Sequence, residues 1–141
     1  MQPLRPARLR YHDGMRMELE TAAGANLIRA YSPGRLVVGK QVVECSVVVT
    51  ADRLLNPWPP HSFEELQPED LQQVLELAPE VVLLGTGIAQ RFPHPRLLAP
   101  FAAAGIGVEV MGTDAACRTY NILVSDGRRV AAALIDRKSV V

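Results

Sequence analysis

Strand-like segments dominate the first third of the chain. They are short, they alternate polar with apolar residues or run together as valines, and turn residues such as Pro33, Gly34 and Gly39 separate them. Each segment therefore predicts a β-strand, and the four segments are residues 16–20, 26–31, 35–39 and 42–50. Together they predict a β-rich lobe over about residues 15–55.

Beyond residue 60 the pattern changes to helices that alternate with strands. Leu71, Val74, Leu75 and Ala78 fall on one face of a helical projection, and Pro68 suits the first turn of that helix. Near-continuous apolar runs predict strands that are covered on both faces. In chain order we predict a helix over 68–78, a strand over 80–84, a helix over 95–104, a strand over 106–111, a helix from Thr113 or Asp114 to about Ser125, and a strand over 129–135.

A proline-rich linker at residues 56–60 separates the two patterns. Its three prolines exclude a helix or a central strand, and Trp58, the only tryptophan of the chain, lies between them. We expect Trp58 to pin the linker to the body of the protein, with an exposed binding surface as the alternative. Strands that alternate with helices imply a mixed sheet covered by helices. We therefore predict one domain over residues 1–141, with an α/β part over 61–136 and a tail over 137–141.

Composition disfavours several classes of function. The chain has 15 basic and 15 acidic residues and only 5% aromatic residues, so we do not expect a nucleic-acid-binding protein. No apolar run is long enough to span a membrane, and two cysteines do not make a disulfide framework. We therefore expect a protein of the reducing cytoplasm, without membrane insertion.

The turn at Gly85-Thr86-Gly87 resembles part of a dinucleotide-binding loop. It follows an apolar strand, and Glu109 comes at roughly the spacing of an acid that binds a ribose. Gln90 stands where the third glycine belongs, and the next helix is delayed, so the amides of the turn do not meet a pyrophosphate at a helix N-terminus. We favour a glycine turn that allows a strand and a helix to pack closely.

Cys117 lies near the start of the last predicted helix, where the helix dipole favours a thiolate. The helical projection places it at the margin of the apolar stripe that contains Tyr120 and Val124, and no histidine lies in the same segment. We therefore disfavour a catalytic thiol, and we expect no metal site, because the three histidines of the chain have no ligand spacing.

Polar residues gather after two successive strands of the α/β part. Ligands of open α/β sheets bind in a crevice at the carboxyl ends of the strands, so this position favours a binding site. The alternative is that Arg118 only pairs with Asp114 one helical turn earlier. Both interpretations stay open for the polar residues that follow the strands, which are Arg91, His94, Thr113, Asp114, Arg118 and Asn121.

Several short motifs occur together in a characteristic order, with a tryptophan ahead of them. They are residues 83–87, 105–109, Met111, Thr113, 115–121, 127–128 and 132–135. In this combination the chain resembles the Mth-938-like family of unknown function over about residues 27–135. That family includes small bacterial proteins, a mitochondrial assembly factor of respiratory complex I and an adipogenesis-associated animal protein.

The resemblance implies a three-layer α/β fold with a mixed central β-sheet and a β-hammerhead-like element from the first half of the chain. It implies no established enzymatic activity and no cofactor. We therefore expect a non-enzymatic protein that binds a protein partner and assists the assembly of a membrane or respiratory complex, with homo-oligomer formation left open.

The alternative function is a small-molecule-binding protein or an enzyme that uses the crevice near residues 85–87 and 113–121. No residue is assigned a catalytic role. The candidate crevice residues are Gly85, Thr86, Gly87, Arg91, Glu109, Thr113, Asp114, Arg118 and Asn121.

Overall fold

The computed structural model describes residues 24–136. The predicted strand over residues 16–20 and the predicted tail over 137–141 lie outside that range. Within it the strands are β1 Ile28–Ser32, β2 Arg35–Val38, β3 Gln41–Val43, β4 Val47–Val49, β5 Leu54–Leu55, β6 Val81–Gly85, β7 Gly107–Met111 and β8 Val130–Leu134. The α-helices are α1 Pro68–Leu75, α2 Pro95–Ala103 and α3 Thr113–Ser125, and a 3-10 turn at Phe63–Glu65 precedes α1.

A mixed five-stranded sheet in the order β5-β4-β8-β6-β7 forms the centre of the fold. β6 pairs in parallel with β7 and with β8, whereas β4 runs antiparallel to β8 and to β5. The parallel strands are connected through α2 and α3, as parallel pairing requires. β8 is buried at every position because helices or strands cover both of its faces, and β7 forms one edge of the sheet.

The first half of the chain adds a separate three-stranded antiparallel sheet in the order β1-β2-β3. Gly34 and Gly39 lie in its two turns with φ angles of 87° and 60°, which side chains on other residues would strain. This small sheet occupies the place of the β-hammerhead-like element implied by the resemblance.

Three layers result, because the two faces of the central sheet bury different apolar clusters. α1, α2 and Trp58 cover one face. The indole N–H of Trp58 donates to the Asp70 carbonyl at 3.1 Å and the ring is buried, so Trp58 pins the linker as predicted. α3 and the three-stranded sheet cover the other face, where Tyr120 is buried. The predicted three-layer α/β architecture is therefore confirmed.

The valine-rich segment over residues 42–50 is two strands in two different sheets, so the prediction of one strand is wrong. β3 ends at Val43 and β4 begins at Val47. Between them the buried Ser46 hydroxyl donates to the Asp136 carbonyl and accepts from the Asp136 N–H, both at 2.9 Å. The chain changes sheet at this polar anchor, which a run of valines does not reveal.

The helix bounds agree with the sequence except at the end of α1. That helix ends at Leu75 rather than at Ala78, whose φ angle of 54° lies outside the helical region. Gly105, with a φ angle of 75°, follows α2 as the predicted C-terminal glycine.

Candidate functional site

The glycine turn and Thr113 form a buried joint. The Gly87 N–H donates to the Thr113 hydroxyl at 2.8 Å, and the Thr113 N–H donates to the Gly87 carbonyl at the same distance. The Thr113 hydroxyl in turn donates to the Ile135 carbonyl at 2.9 Å. A Cβ on Gly85 would lie 3.0 Å from the Thr113 Cα, so glycine permits this close approach. The Gly87 amide is therefore already occupied within the protein.

Thr86 is buried beside this joint and organises the loop that follows. Its hydroxyl donates to the Ala89 carbonyl at 2.7 Å and accepts the Arg91 N–H at 3.0 Å. Gln90, which replaces the third glycine of the dinucleotide motif, uses its side-chain amide to donate to the Val110 carbonyl at 2.9 Å. The loop is thus held by its own polar groups.

Arg91 contacts the 3-10 turn before α1. Its guanidinium pairs with the Glu64 carboxylate and lies 4.6 Å from the centre of the Phe63 ring. The hydrogen bond from Arg91 lowers the pKa of Glu64. Both charged groups are exposed, so the pair contributes little to stability.

Glu109 is exposed on the edge strand β7. Side chains alternate along a strand, so its neighbours Val108 and Val110 point to the opposite face, where they pack against the apolar cluster beneath α2. Glu109 therefore does not take part in the pocket described next.

Asp114, Arg118 and Asn121 line an open pocket between α3 and β1. Their spacing places all three on one face of α3. The volume of the pocket is about 330 Å³, at the lower end of the range for small-molecule sites. The rest of the lining consists of Ile28, Arg29, Ala30, Tyr31 and Cys117.

Asn121 fixes the distance between the two walls of this pocket. Its side-chain oxygen accepts the Ile28 N–H at 2.9 Å, and its side-chain amide donates to the Ile28 carbonyl at 2.7 Å. One side chain on α3 therefore satisfies both main-chain groups of a residue on the outer edge of β1.

The two arginines of the pocket differ in their partners. Arg118 lies 3.7 Å from the Asp114 carboxylate one turn earlier, and both side chains are exposed, so their attraction is weak. The Arg29 guanidinium has no hydrogen bond or ion pair with any side chain between residues 24 and 136. Arg118 thus pairs with Asp114 and also lines a pocket, so its geometry is compatible with either sequence interpretation and decides between neither.

Cys117 and Tyr31 contribute neutral groups. Burial raises the pKa of the Cys117 thiol to about 12, and the charges of Asp136 and Asp114 raise it as well. Burial also raises the pKa of the Tyr31 phenol to about 12, with a further increase from Asp136. At neutral pH the Cys117 sulfur is a thiol rather than the thiolate that nucleophilic catalysis requires.

The loop over residues 86–94 exposes two large apolar side chains. Ile88 is 82% exposed and Phe92 is 70% exposed, although the surrounding loop is well hydrogen-bonded. Exposed apolar patches on an ordered surface are typical of interaction sites. One feature of the sequence indicates this exposure. Ile88 and Phe92 stand between Gly87 and two prolines, and they fit neither a helical nor a strand period.

Arg29 and Tyr31 were also missed as pocket residues. The sequence places them on a predicted strand, but nothing in one sequence indicates that this strand lies against α3, more than 80 residues away.

The part of the chain between residues 24 and 136 shows neither a cluster of metal ligands nor a membrane-spanning helix. Between residues 24 and 136 no three His, Cys, Asp or Glu side chains lie close enough together to hold a metal ion. None of the helices in that range is both long and apolar enough to cross a membrane. His94 has a local role, since its Nδ1 accepts the Arg96 N–H at 3.1 Å at the start of α2.

Comparison with protein families matches residues 28–135 to the family described as "Protein of unknown function (DUF498/DUF598)". Among curated proteins, the chain is 36% identical over 121 residues to NADH dehydrogenase [ubiquinone] 1 alpha subcomplex assembly factor 3 of Danio rerio, covering 84% of this chain and 68% of that protein. It is 27% identical over 122 residues to the "13 kDa major membrane protein" of Francisella tularensis, covering 86% of this chain and 99% of that protein.

Among solved structures, the fold matches a Bordetella pertussis protein described as an Mth938-like domain. The TM-score is 0.74 at 31% sequence identity, and the match covers 84% of this chain and 90% of that one. The family and the fold implied by the sequence motifs are therefore confirmed.

Proposed function

We propose that this chain, which belongs to the protein family of unknown function DUF498/DUF598, binds a protein partner during the assembly of an NADH dehydrogenase-type membrane complex. The Danio rerio relative is named as an assembly factor of NADH dehydrogenase, and this name supports assembly as the process in which the chain takes part. The exposed side chains of Ile88 and Phe92 support the location of the binding surface. Their exposure is the observation that carries the proposal.

The loop over residues 86–94 has the properties of a preformed docking surface. Thr86 and Gln90 hold it to the protein, so little conformational freedom is lost when a partner binds. Fully burying an isoleucine or phenylalanine side chain contributes about 1.5–3 kcal/mol. Two such side chains exposed on the same loop therefore provide apolar surface for the centre of a modest interface.

The test is a pull-down from the native host with the wild-type chain and with an Ile88→Ser/Phe92→Ser variant. We expect the wild-type chain to enrich subunits of the NADH dehydrogenase complex, and the variant to lose them while keeping its unfolding midpoint. Ile122→Ser is the matched control, because Ile122 is 61% exposed on α3.

Two results would contradict the proposal. One is the absence of any NADH dehydrogenase subunit among the proteins enriched by the wild-type chain. The other is equal enrichment by the wild-type chain and the loop variant, which would remove Ile88 and Phe92 from the interface.

A cytoplasmic location is part of the proposal. The Francisella tularensis relative carries a membrane-protein name, so the location needs its own measurement. We expect fractionation of host cells lacking the NADH dehydrogenase complex to recover the protein in the soluble fraction. Recovery in the membrane fraction of those cells would contradict a cytoplasmic location.

The second candidate function is the binding of a small molecule. The observation that favours it is the pocket between β1 and α3, whose lining includes Asp114, Arg118 and Asn121. The buried joint and its glycine turn occupy four of the predicted crevice residues, which are Gly85, Thr86, Gly87 and Thr113. The proposed small-molecule site therefore lies between α3 and β1.

A further inference from the structure

We infer that the pocket between β1 and α3 binds a small organic anion, whose negatively charged head lies between Arg29 and Arg118 and whose apolar body lies against β1. This inference rests on the second candidate function and names the chemical class of its ligand.

The charges of the lining favour an anion. Arg29 and Arg118 are positive and Asp114 is negative, so the lining carries a net charge of about +1 at neutral pH, and the Asp136 carboxylate, whose charge also acts on Tyr31 and Cys117, lies outside that lining. The Asp114 carboxylate already accepts the Ala115 N–H at 2.8 Å, and its pairing with Arg118 at 3.7 Å is long. An incoming carboxylate or phosphate can therefore take a closer position on the Arg118 guanidinium, which binds oxyanions with two parallel hydrogen bonds.

Arg29 provides the second positive group, and no side-chain contact between residues 24 and 136 has to break for it to bind an anion. Its guanidinium lacks a partner among the described side chains, so a ligand does not have to displace one. An arginine that faces a pocket without a partner loses little when an anion binds, since only its water is exchanged.

The edge of β1 supplies a main-chain donor. Ser32 and Arg35 are the paired residues that close the turn between β1 and β2, so their N–H and C=O groups point at each other. The N–H and C=O groups of Tyr31, one residue earlier, therefore point away from β2. At Ile28, the other outward-facing position, Asn121 already satisfies both main-chain groups. Among the residues that the structure describes, the Tyr31 N–H has no acceptor, so it can donate to a ligand oxygen on the side of the pocket.

The remaining walls suit an uncharged body. Ile28, Ala30 and the Tyr31 ring present apolar surface, and Cys117 lies in the lining as a neutral thiol because burial raises its pKa. Neither the Tyr31 phenol nor the Cys117 thiol adds a negative charge that would repel an anion at neutral pH. A volume of about 330 Å³ accommodates a molecule of the size of a substituted benzene ring with its head group.

The experiment is an NMR titration of the ¹⁵N-labelled full chain with benzoate, phenyl phosphate and benzamide. We expect both anions to shift the amide signals of residues 28–31 and 114–121 at millimolar concentration, and neutral benzamide to shift them much less. Comparison of the two anions identifies the preferred head group. Arg29→Gln and Arg118→Gln should each weaken anion binding at least about tenfold.

Arg96→Gln is the matched control, because it removes one positive charge from α2, outside the pocket lining. We expect it to leave the affinity for the anions unchanged. If benzamide binds as tightly as benzoate, or if Arg96→Gln weakens binding as much as Arg118→Gln, the inferred ligand class is wrong while the pocket stays a binding site. If no probe shifts the pocket amides, the second candidate function itself is wrong.

Discussion

Thr113 shows how much one side chain can organise. Its hydroxyl accepts from Gly87 and donates to Ile135, and thereby joins the end of β6, the start of α3 and the residue after β8. The sequence identified Thr113 as a crevice residue from its place after a strand. It could not show that the hydroxyl is fully used, because its partners lie 26 and 22 residues away.

We predict that Thr113→Val lowers the free energy of unfolding by about 1–3 kcal/mol, since the Gly87 N–H and the Ile135 carbonyl lose their partner in a buried place. Thr113→Ser keeps the hydroxyl and should cost less. Urea unfolding of both variants measures the difference. Equal losses for valine and serine would mean that packing of the methyl group, rather than the hydroxyl, matters at this position.

We also predict a pH effect from Cys117. Folding raises the pKa of its thiol from 9.0 to about 12, so the folded state keeps this proton to higher pH than the unfolded state. The stability that results is complete below pH 9.0 and is lost as the pH rises toward about 12. Cys117→Ala should therefore lose less stability than the wild type over that window, as measured by urea unfolding. Parallel pH profiles for the two proteins would contradict the raised pKa.

At the scale of elements, α3 and β1 are joined through one side chain. Asn121 bonds to both main-chain groups of Ile28, and so satisfies one residue on the outer edge of the three-stranded sheet. The sequence located both elements within two residues. It placed Asn121 only on a polar helix face, because nothing in a single sequence predicts which strand that face meets. The split of the valine-rich segment at Ser46 was hidden for the same reason.

We predict that Asn121→Ala loosens β1 without unfolding the central sheet. Loss of the two hydrogen bonds should lower local stability by about 1–3 kcal/mol, and the Ile28 amide should exchange with deuterium faster than in the wild type. Ile122→Ala, at the next position on α3, is the control and should leave Ile28 exchange unchanged, because Ile122 is exposed. Unchanged exchange in Asn121→Ala would show that other contacts hold β1.

At the scale of the whole molecule, two apolar clusters share one sheet. β6 and β8 contribute alternate side chains to each cluster, so neither cluster forms fully without the central strands. The alternation of strands and helices predicted a mixed sheet covered by helices, whereas the three layers were implied by the family resemblance. The residues of the predicted crevice do not lie together in one site. They lie in four places, which are the buried joint, the contact with the 3-10 turn, the edge strand β7 and the pocket between β1 and α3.

We predict that the chain unfolds as one cooperative unit, in line with the single domain expected from its sequence. Trp58 reports on the cluster beneath α1 and α2, whereas far-ultraviolet circular dichroism reports on all helices and strands. The two signals should give the same midpoint in urea. A Trp58 fluorescence transition at a clearly different urea concentration would show that the layers unfold separately.

The edge strand β7 has a consequence for how copies of this protein behave at high concentration. The Met111 carbonyl accepts the N–H of Thr86, the residue after β6, so it points toward β6. Because the direction of the peptide groups alternates along a strand, the N–H and C=O groups of Val108 and Val110 point outward. Such an edge is a template for pairing with the edge strand of another chain. Gln90 covers the Val110 carbonyl, and the exposed charge of Glu109 repels the same charge on an approaching copy. The loop that exposes Ile88 and Phe92 thus also supplies, through Gln90, a side chain that covers part of the β7 edge, so substitutions in this loop are expected to affect self-association as well as the proposed partner binding.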